Sequence, residues 1–237
     1  MRKSELLNAS KENLFNNKYS LLLITLILIL LISPFVGHYP AISFFADSIL
    51  FISAILFVSR IQGGHTAFFY ISVPLACFAV IFHFLTLFVA ERIYFTLPAL
   101  LFYMTFLAMA IIFLLRRIFS EKRVTGDTVK GSISVYILIG YWWQMLYTLI
   151  WALYPASFSL QIARIDSPDF FYFSFTTITT LGYGDVIPKG YFAKTAAILE
   201  AIFGQIYLAV LVARLVSLHV SHSGLEPSKK EDGGSGA

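Results

Sequence analysis

The chain has 237 residues, of which 58% are apolar and only 13% charged, with a mean hydropathy of +0.79. Soluble domains usually contain about 45 to 50% apolar residues, so this composition excludes a water-soluble globule. The net charge of +4 comes from basic residues scattered between apolar runs, which excludes a continuous surface for nucleic acid, and the single cysteine, Cys77, excludes a disulfide framework within one chain.

Six apolar segments have about the 20 residues that a helix needs to cross a bilayer. The first segment follows about 20 mostly polar residues and precedes no small-residue cleavage site, which favours a span over a secretory signal. The six segments are residues 20–37, 41–59, 65–90, 93–115, 132–154 and 191–219.

The basic residues orient these segments. Thirteen Lys and Arg residues lie before the first segment, after the second, after the fourth and at or beyond the end of the sixth, whereas four lie in the remaining loops. Because cytoplasmic loops carry the excess of Lys and Arg, both termini are expected in the cytoplasm. The loop between the fifth and sixth segments is then expected outside the cell.

The fourth segment, residues 93–115, contains no Lys or Arg. A voltage-sensing helix carries basic residues through the field, each of which contributes about 2.3 kcal/mol per 100 mV. Arg116 and Arg117 come only at the cytoplasmic end, where they serve as orientation signals. Asp47 and His83 are ionisable residues in the interior of the first four segments, and both a structural polar pair and a proton-sensing switch are open interpretations.

Residues 167–188 join the fifth and sixth segments and are too short and too polar to form another full span. Ser167 is a good N-cap, Pro168 suits the first helical position and Asp169 favours the positive end of a helix. These signals predict a short re-entrant helix that runs to about Thr179 and points its C-terminal end into the membrane.

The next six residues, Thr180 to Asp185, read TLGYGD. Two glycines at alternate positions allow the backbone to take positive φ. Non-helical backbone at membrane depth is tolerated only where it is buried in protein or lines a water-filled path, so its carbonyl oxygens are expected to form a ligand array. TLGYGD resembles TVGYGD, the selectivity-filter signature of potassium channels, with Leu181 in the valine position.

The surrounding order of helix, pore helix, filter and helix is similar to that family's pore domain, and the six spans resemble the layout of the voltage-gated-type superfamily without its sensing arginines. The resemblance implies an all-α, potassium-selective channel in the cell membrane that acts without catalysis or a cofactor. Its partners would be potassium ions, lipids and other copies of itself. Because one chain supplies one loop, a homotetramer is needed to surround an ion.

The resemblance also implies roles for individual residues. The carbonyls of Thr180, Leu181, Gly182 and Tyr183 would coordinate potassium, with the Thr180 hydroxyl at the inner end and Gly184 completing the filter. Asp185 would brace the outer end by hydrogen bonding to surrounding aromatics. Tyr172 and Phe173 lie where the family has an aromatic cuff, although packing against lipid explains them equally well.

In the sixth segment, Gly204 lies where the family often has a hinge glycine, and close packing against the pore helix is the alternative. Leu208, Val212 and Val216 follow at i+4 steps along one face and are expected to line the inner cavity.

Glu200 is an ionisable residue in the middle of the sixth segment, which makes it a functional hypothesis by default. One turn above Gly204, it is expected to contact Thr176 and Thr177 of the pore helix and support the filter.

Two other functions fit parts of the sequence. Residues 182–185 also match GxGD, a motif of intramembrane aspartyl proteases. That chemistry needs a second carboxylate sharing a proton with the first, and the remaining candidates, Asp47 and Glu200, lack the motif's context. A non-conducting membrane scaffold is the other alternative, and the intact filter motif argues against it.

The chain is thus divided into five regions. They are a cytoplasmic N-terminal segment that fits an interfacial helix or a polar leader (1–19), a sensor-like four-helix domain (20–117), a cytoplasmic linker (118–131), a pore domain (132–220) and a disordered tail ending in a linker-like Gly/Ser run (221–237).

Overall fold

The computed structural model describes residues 19–36, 49, 67–85, 93–121, 125–159 and 169–223. Within these residues the fold is all-α, with six α-helices, a one-turn 3₁₀ helix at Pro155–Ser157 and no strand. The helices are α1 (Ser20–Val36), α2 (Ala67–Leu85), α3 (Ile93–Ser120), α4 (Gly126–Leu153), α5 (Asp169–Ile178) and α6 (Tyr191–Ser223).

Three of the described helices are long and apolar enough to cross a membrane, through Tyr94–Ser120, Gly126–Leu153 and Tyr191–Arg214. Two more, α1 and α2, contain shorter apolar stretches at Ser20–Ile32 and Val73–Phe82. Five of the six predicted segments therefore fall on helices, and the second, 41–59, lies outside the described residues except at position 49. Six membrane crossings stay a prediction.

The helix α4 begins at Gly126, earlier than the predicted start at 132. Thr125 is its N-cap: the Thr125 hydroxyl accepts from the Thr128 amide at 3.2 Å, and the Thr128 hydroxyl accepts from the Thr125 amide at 3.3 Å. This reciprocal pair satisfies two amides at the helix start. Since α3 also continues to Ser120, most of the predicted linker is helical.

The observed C-terminal end of the last helix also differs from the predicted one. The helix α6 continues to Ser223, so it includes the first residues of the segment predicted as a disordered tail. The N-terminal residues 1–18, the rest of the tail and Asp47 lie outside the described residues. So does the predicted contact between Asp47 and His83, although the backbone of His83 belongs to α2.

The helix α4 organises the packing, because it contacts α1, α3, α5 and α6, while α2 packs on α3. A first hydrophobic core joins α1 to α4 through residues such as Leu26, Phe106, Leu114 and Val135. A second core lies around α5 and contains Trp143, Tyr147, Ile150, Phe158, Phe170, Phe173, Val186, Ala193 and Ala196. The second core fixes α5 against α4 and α6.

Candidate functional site

The helix α5 is too short to span a bilayer. It has 10 residues, which at 1.5 Å per residue is about half of the roughly 30 Å hydrocarbon thickness. It ends at Ile178, one residue before the predicted end, and the predicted capping residues Ser167 and Pro168 lie outside the described residues. The chain then returns through an irregular segment, residues 179–190, to the start of α6.

The first part of this segment is anchored on the end of α5. The amide of Thr180 donates to the Thr177 carbonyl at 2.9 Å, and the amide of Gly182 donates to the Thr176 carbonyl at 3.1 Å. These bonds satisfy carbonyls that a helix end would otherwise leave unpaired. Among the described contacts, no hydrogen bond occupies the carbonyl oxygens of residues 180–184. The carbonyl just before them, that of Thr179, accepts from the Thr180 hydroxyl at 2.6 Å.

The backbone of this segment alternates in handedness. Thr180, Gly182 and Gly184 have φ of 59°, 52° and 79°, whereas Leu181 and Tyr183 between them have negative φ. Glycine adopts positive φ without penalty, but Thr180 is β-branched and is strained there, at about 1 to 2 kcal/mol. The sign of φ therefore alternates along the consecutive residues that are predicted to bind ions.

The same residues are exposed in a single chain. The side chains of Leu181 and Tyr183 are 55% and 68% exposed, and all residues from 179 to 185 are classed as exposed. One side chain of α5 covers part of this surface, since the rings of Tyr172 and Tyr183 are parallel within 2° and their centroids lie 6.4 Å apart.

Tyr172 also holds Asp185. Its hydroxyl donates to Asp185 Oδ2 at 2.7 Å, and the amide of Val186 donates to Asp185 Oδ1 at 3.0 Å. The Tyr172 hydrogen bond lowers the pKa of the Asp185 carboxyl and raises the pKa of Tyr172 to about 12, because it stabilises the carboxylate with the phenol protonated. Asp185 is thus an ionised group tied to α5.

Phe173 has a different environment from Tyr172. It is buried in the second core, where its ring centroid lies 4.8 Å from that of Tyr147 and 5.6 Å from that of Phe158. The interpretation of Phe173 as a lipid-facing residue is therefore wrong. Among the described contacts, Tyr172 is the member of the predicted pair that touches residues 183 and 185.

The C-terminal end of the segment is held by the residues after α4, which sequence analysis did not identify. Phe158 and Pro188 form an isolated antiparallel bridge. The Ser157 carbonyl accepts from the amides of Lys189 and Gly190 at 2.7 and 3.1 Å. A Cβ on Gly190 would lie 2.8 Å from the Ser157 hydroxyl and 3.2 Å from its Cα, so a larger residue would require Ser157 to shift. These contacts fix the direction in which the chain continues from residues 180–184 to α6.

Glu200 on α6 lies behind α5 and is fully buried. Its two carboxyl oxygens lie 2.5 Å from the Tyr147 hydroxyl and 2.6 Å from the Ser174 hydroxyl. The predicted partners were Thr176 and Thr177, and that prediction is wrong. Both threonine hydroxyls instead donate within α5, to the Phe173 carbonyl at 3.0 and 2.7 Å.

Gly204 lies one turn below Glu200 and touches the end of α5. A Cβ at this position would lie 2.7 Å from both the carbonyl oxygen and Cγ1 of Ile178. The same Ile178 carbonyl accepts from the Tyr136 hydroxyl of α4 at 3.0 Å. Close packing is therefore present at Gly204, and the hinge role stays a prediction.

Leu208, Val212 and Val216 continue down α6 below Gly204, and all three are exposed in a single chain. They are available to line a cavity, as predicted from their spacing.

Asp185 and Glu200 belong to separate hydrogen-bond groups, Asp185 with Tyr172 and Glu200 with Tyr147 and Ser174. They do not form the paired carboxylates that an aspartyl protease requires. Within the part of the chain that the structure describes, no group of three or more His, Cys, Asp or Glu side chains is arranged to hold a metal ion.

Comparison with known proteins assigns a class to this part of the chain. Residues 132–220 match the model of a family described as "Ion channel", and these bounds coincide with the predicted pore domain. No curated protein and no solved structure matches the chain. Together with the apolar helices, the family match supports an ion channel in a membrane.

Proposed function

We propose that four copies of this chain form a potassium-selective channel that conducts ions passively across the cell membrane, with both termini in the cytoplasm. The observation that carries the proposal is the backbone of residues 180–184. Its handedness alternates, and within the described residues no hydrogen bond occupies its carbonyl oxygens. Free carbonyls on one short segment can replace the hydration shell of a cation.

The proposed assembly follows from what a single chain leaves uncovered. Residues 179–185 are exposed, although backbone groups at membrane depth must be satisfied by protein, water or ions. The helix α6 is also largely exposed in one chain, in contrast to α4. Four copies around an axis would surround the ions with filter carbonyls and bring Leu208, Val212 and Val216 together below them.

The fixed surroundings of the filter segment favour selectivity. Its inner end is bonded to α5 through Thr180 and Gly182, and its outer end is held by Asp185 and by the Phe158–Pro188 bridge. A site held at both ends preserves the spacing of its carbonyl ligands, which a larger or smaller ion fits less well.

A reconstituted flux assay tests the proposal. We expect purified protein in liposomes to carry potassium well above sodium, with a reversal potential that follows the potassium gradient. Empty liposomes serve as the control. Equal shifts of the reversal potential with sodium and potassium would contradict the selectivity, and absence of flux for both ions would favour the non-conducting scaffold.

We expect the open probability of this channel to depend only weakly on voltage. The helix α3 carries its basic residues at the cytoplasmic end, where Arg116 and Arg117 are both exposed, and none between Ile93 and Leu115. Steep sensors move about three to four charges per subunit. A conductance–voltage curve in planar bilayers measures this property. A slope of several elementary charges that disappears when Arg116 and Arg117 are neutralised would contradict the expectation.

A further inference from the structure

The buried carboxyl group of Glu200 connects three helices. From α4 the Tyr147 hydroxyl lies 2.5 Å from Oε2, and from α5 the Ser174 hydroxyl lies 2.6 Å from Oε1. Ser174 Oγ also lies 2.8 Å from the carbonyl oxygen of Gly140 on α4. All these groups belong to one chain, so the cluster forms independently of any assembly.

A count of hydrogens fixes the state of this cluster. Ser174 has one hydroxyl hydrogen, but Oγ lies within hydrogen-bond distance of two oxygens, Gly140 O and Glu200 Oε1. If Glu200 were a carboxylate, one of these two short contacts would bring lone pairs together with no hydrogen between them. A buried carboxylate would also lack a compensating positive charge, since none of the described Lys or Arg side chains pairs with Glu200.

A hydrogen on Glu200 Oε1 satisfies every contact. The carboxylic acid then donates to Ser174 Oγ, and Ser174 donates to the Gly140 carbonyl. The Tyr147 hydroxyl donates to Oε2. Among the described residues, the other titratable group close to this cluster is Tyr136 of α4, which donates to the Ile178 carbonyl instead. The result is a directed chain of hydrogen bonds from α6 through α5 to α4.

We infer that Glu200 is a neutral carboxylic acid whose hydrogen-bond chain through Ser174 to Gly140 positions the re-entrant helix α5. The cluster lies one turn from the carbonyls of Thr176 and Thr177, which anchor the filter segment. Its effect on conduction rests on the channel proposed above, whereas the protonation state and the attachment of α5 do not.

Infrared spectroscopy of the full-length protein in detergent tests the protonation state. The carbonyl stretch of a protonated carboxyl group should be present at neutral pH and should be lost in Glu200→Gln. Asp185→Asn is the matched control, because it removes an ionised carboxyl and should leave this band in place. Ser174→Ala should shift the band by removing its hydrogen-bond acceptor. An identical acid band in wild type and Glu200→Gln would overturn the inference.

Thermal unfolding and flux test the positioning role. Glu200→Gln keeps a hydrogen-bond donor and an acceptor at this position. Its unfolding midpoint should therefore stay within a few degrees of wild type, and its potassium flux within twofold. Glu200→Ala should lower the midpoint and reduce flux at least tenfold. Equal damage in both variants, or none in Glu200→Ala, would overturn the role. If wild-type protein carries no ions, the channel proposal fails, and the spectra and midpoints still decide this inference.

Discussion

Replacement of Gly182 by alanine is expected to abolish selective potassium flux. Gly182 has φ of 52°, and an added Cβ would have no atom of the same chain within 4 Å, so the substitution causes no steric clash within one chain. The effect comes from the backbone itself, because an L-residue in this region costs about 1 to 2 kcal/mol. In four copies around one axis the total is about 4 to 8 kcal/mol, and every 1.4 kcal/mol changes a population roughly tenfold.

Gly126→Ala provides a matched control for this substitution. Gly126 also has no atom within 4 Å of the added Cβ, but its φ is not positive. Both variants replace glycine by alanine without a steric clash in one chain, but only the substitution at position 182 strains the backbone. Potassium and sodium fluxes would be measured for both in the same liposomes, after thermal unfolding and gel filtration show that each is folded and assembled. Wild-type selectivity in Gly182→Ala would show that residue 182 does not need the left-handed conformation for conduction.

The backbone conformation at residues 182 and 184 could be predicted from sequence because its signals are local. The six residues TLGYGD contain glycine at two alternate positions, which predicts positive φ there, and the structure has positive φ at both Gly182 and Gly184. The apolar runs likewise predicted α3, α4 and α6, since length and composition alone determine whether a helix can cross a membrane. The start of α4 was missed because threonine occupies the position where a capping box usually has Glu or Gln.

The partners of Glu200 depend on packing that the sequence does not reveal. Neighbouring residues of a helix point about 100° apart, so Ser174 and Thr177, three residues apart, point only about 60° from each other, and a modest error in the rotation of α5 exchanges them. Thr176 points to nearly the opposite side of the helix from Ser174, about 160° away. That rotation is set by contacts between helices, among them Gly204 against Ile178 and Phe173 against Tyr147. The Phe158–Pro188 bridge was equally inaccessible, because it joins two irregular segments with no periodic pattern.

Gly204→Ala is expected to destabilise the protein and reduce flux. Alanine normally favours a helix over glycine by about 1 kcal/mol, so a gain would be expected if the site had room. Here the new Cβ would lie 2.7 Å from the Ile178 carbonyl oxygen, which is backbone and cannot swing away. Overpacking of this kind costs about 1 to 3 kcal/mol, and any shift of Ile178 also disturbs its hydrogen bond from Tyr136.

Gly140→Ala and Gly126→Ala make the comparison specific. At Gly140 the Cβ would meet the tip of the Phe175 ring at 2.8 Å, which can turn aside, and at Gly126 it would meet nothing. The unfolding midpoints of the three variants should therefore fall in the order Gly126→Ala, Gly140→Ala and Gly204→Ala, from highest to lowest. Each kcal/mol corresponds to roughly 2 to 4 °C for a chain of this size.

A hinge at Gly204 makes a different prediction. Gly204→Ala would then alter gating while its unfolding midpoint stayed at or above that of wild type, because a helix made stiffer by alanine loses mobility and not stability. A midpoint lowered together with flux supports packing against Ile178 as the reason for glycine at this position, whereas altered gating at an unchanged midpoint would restore the hinge.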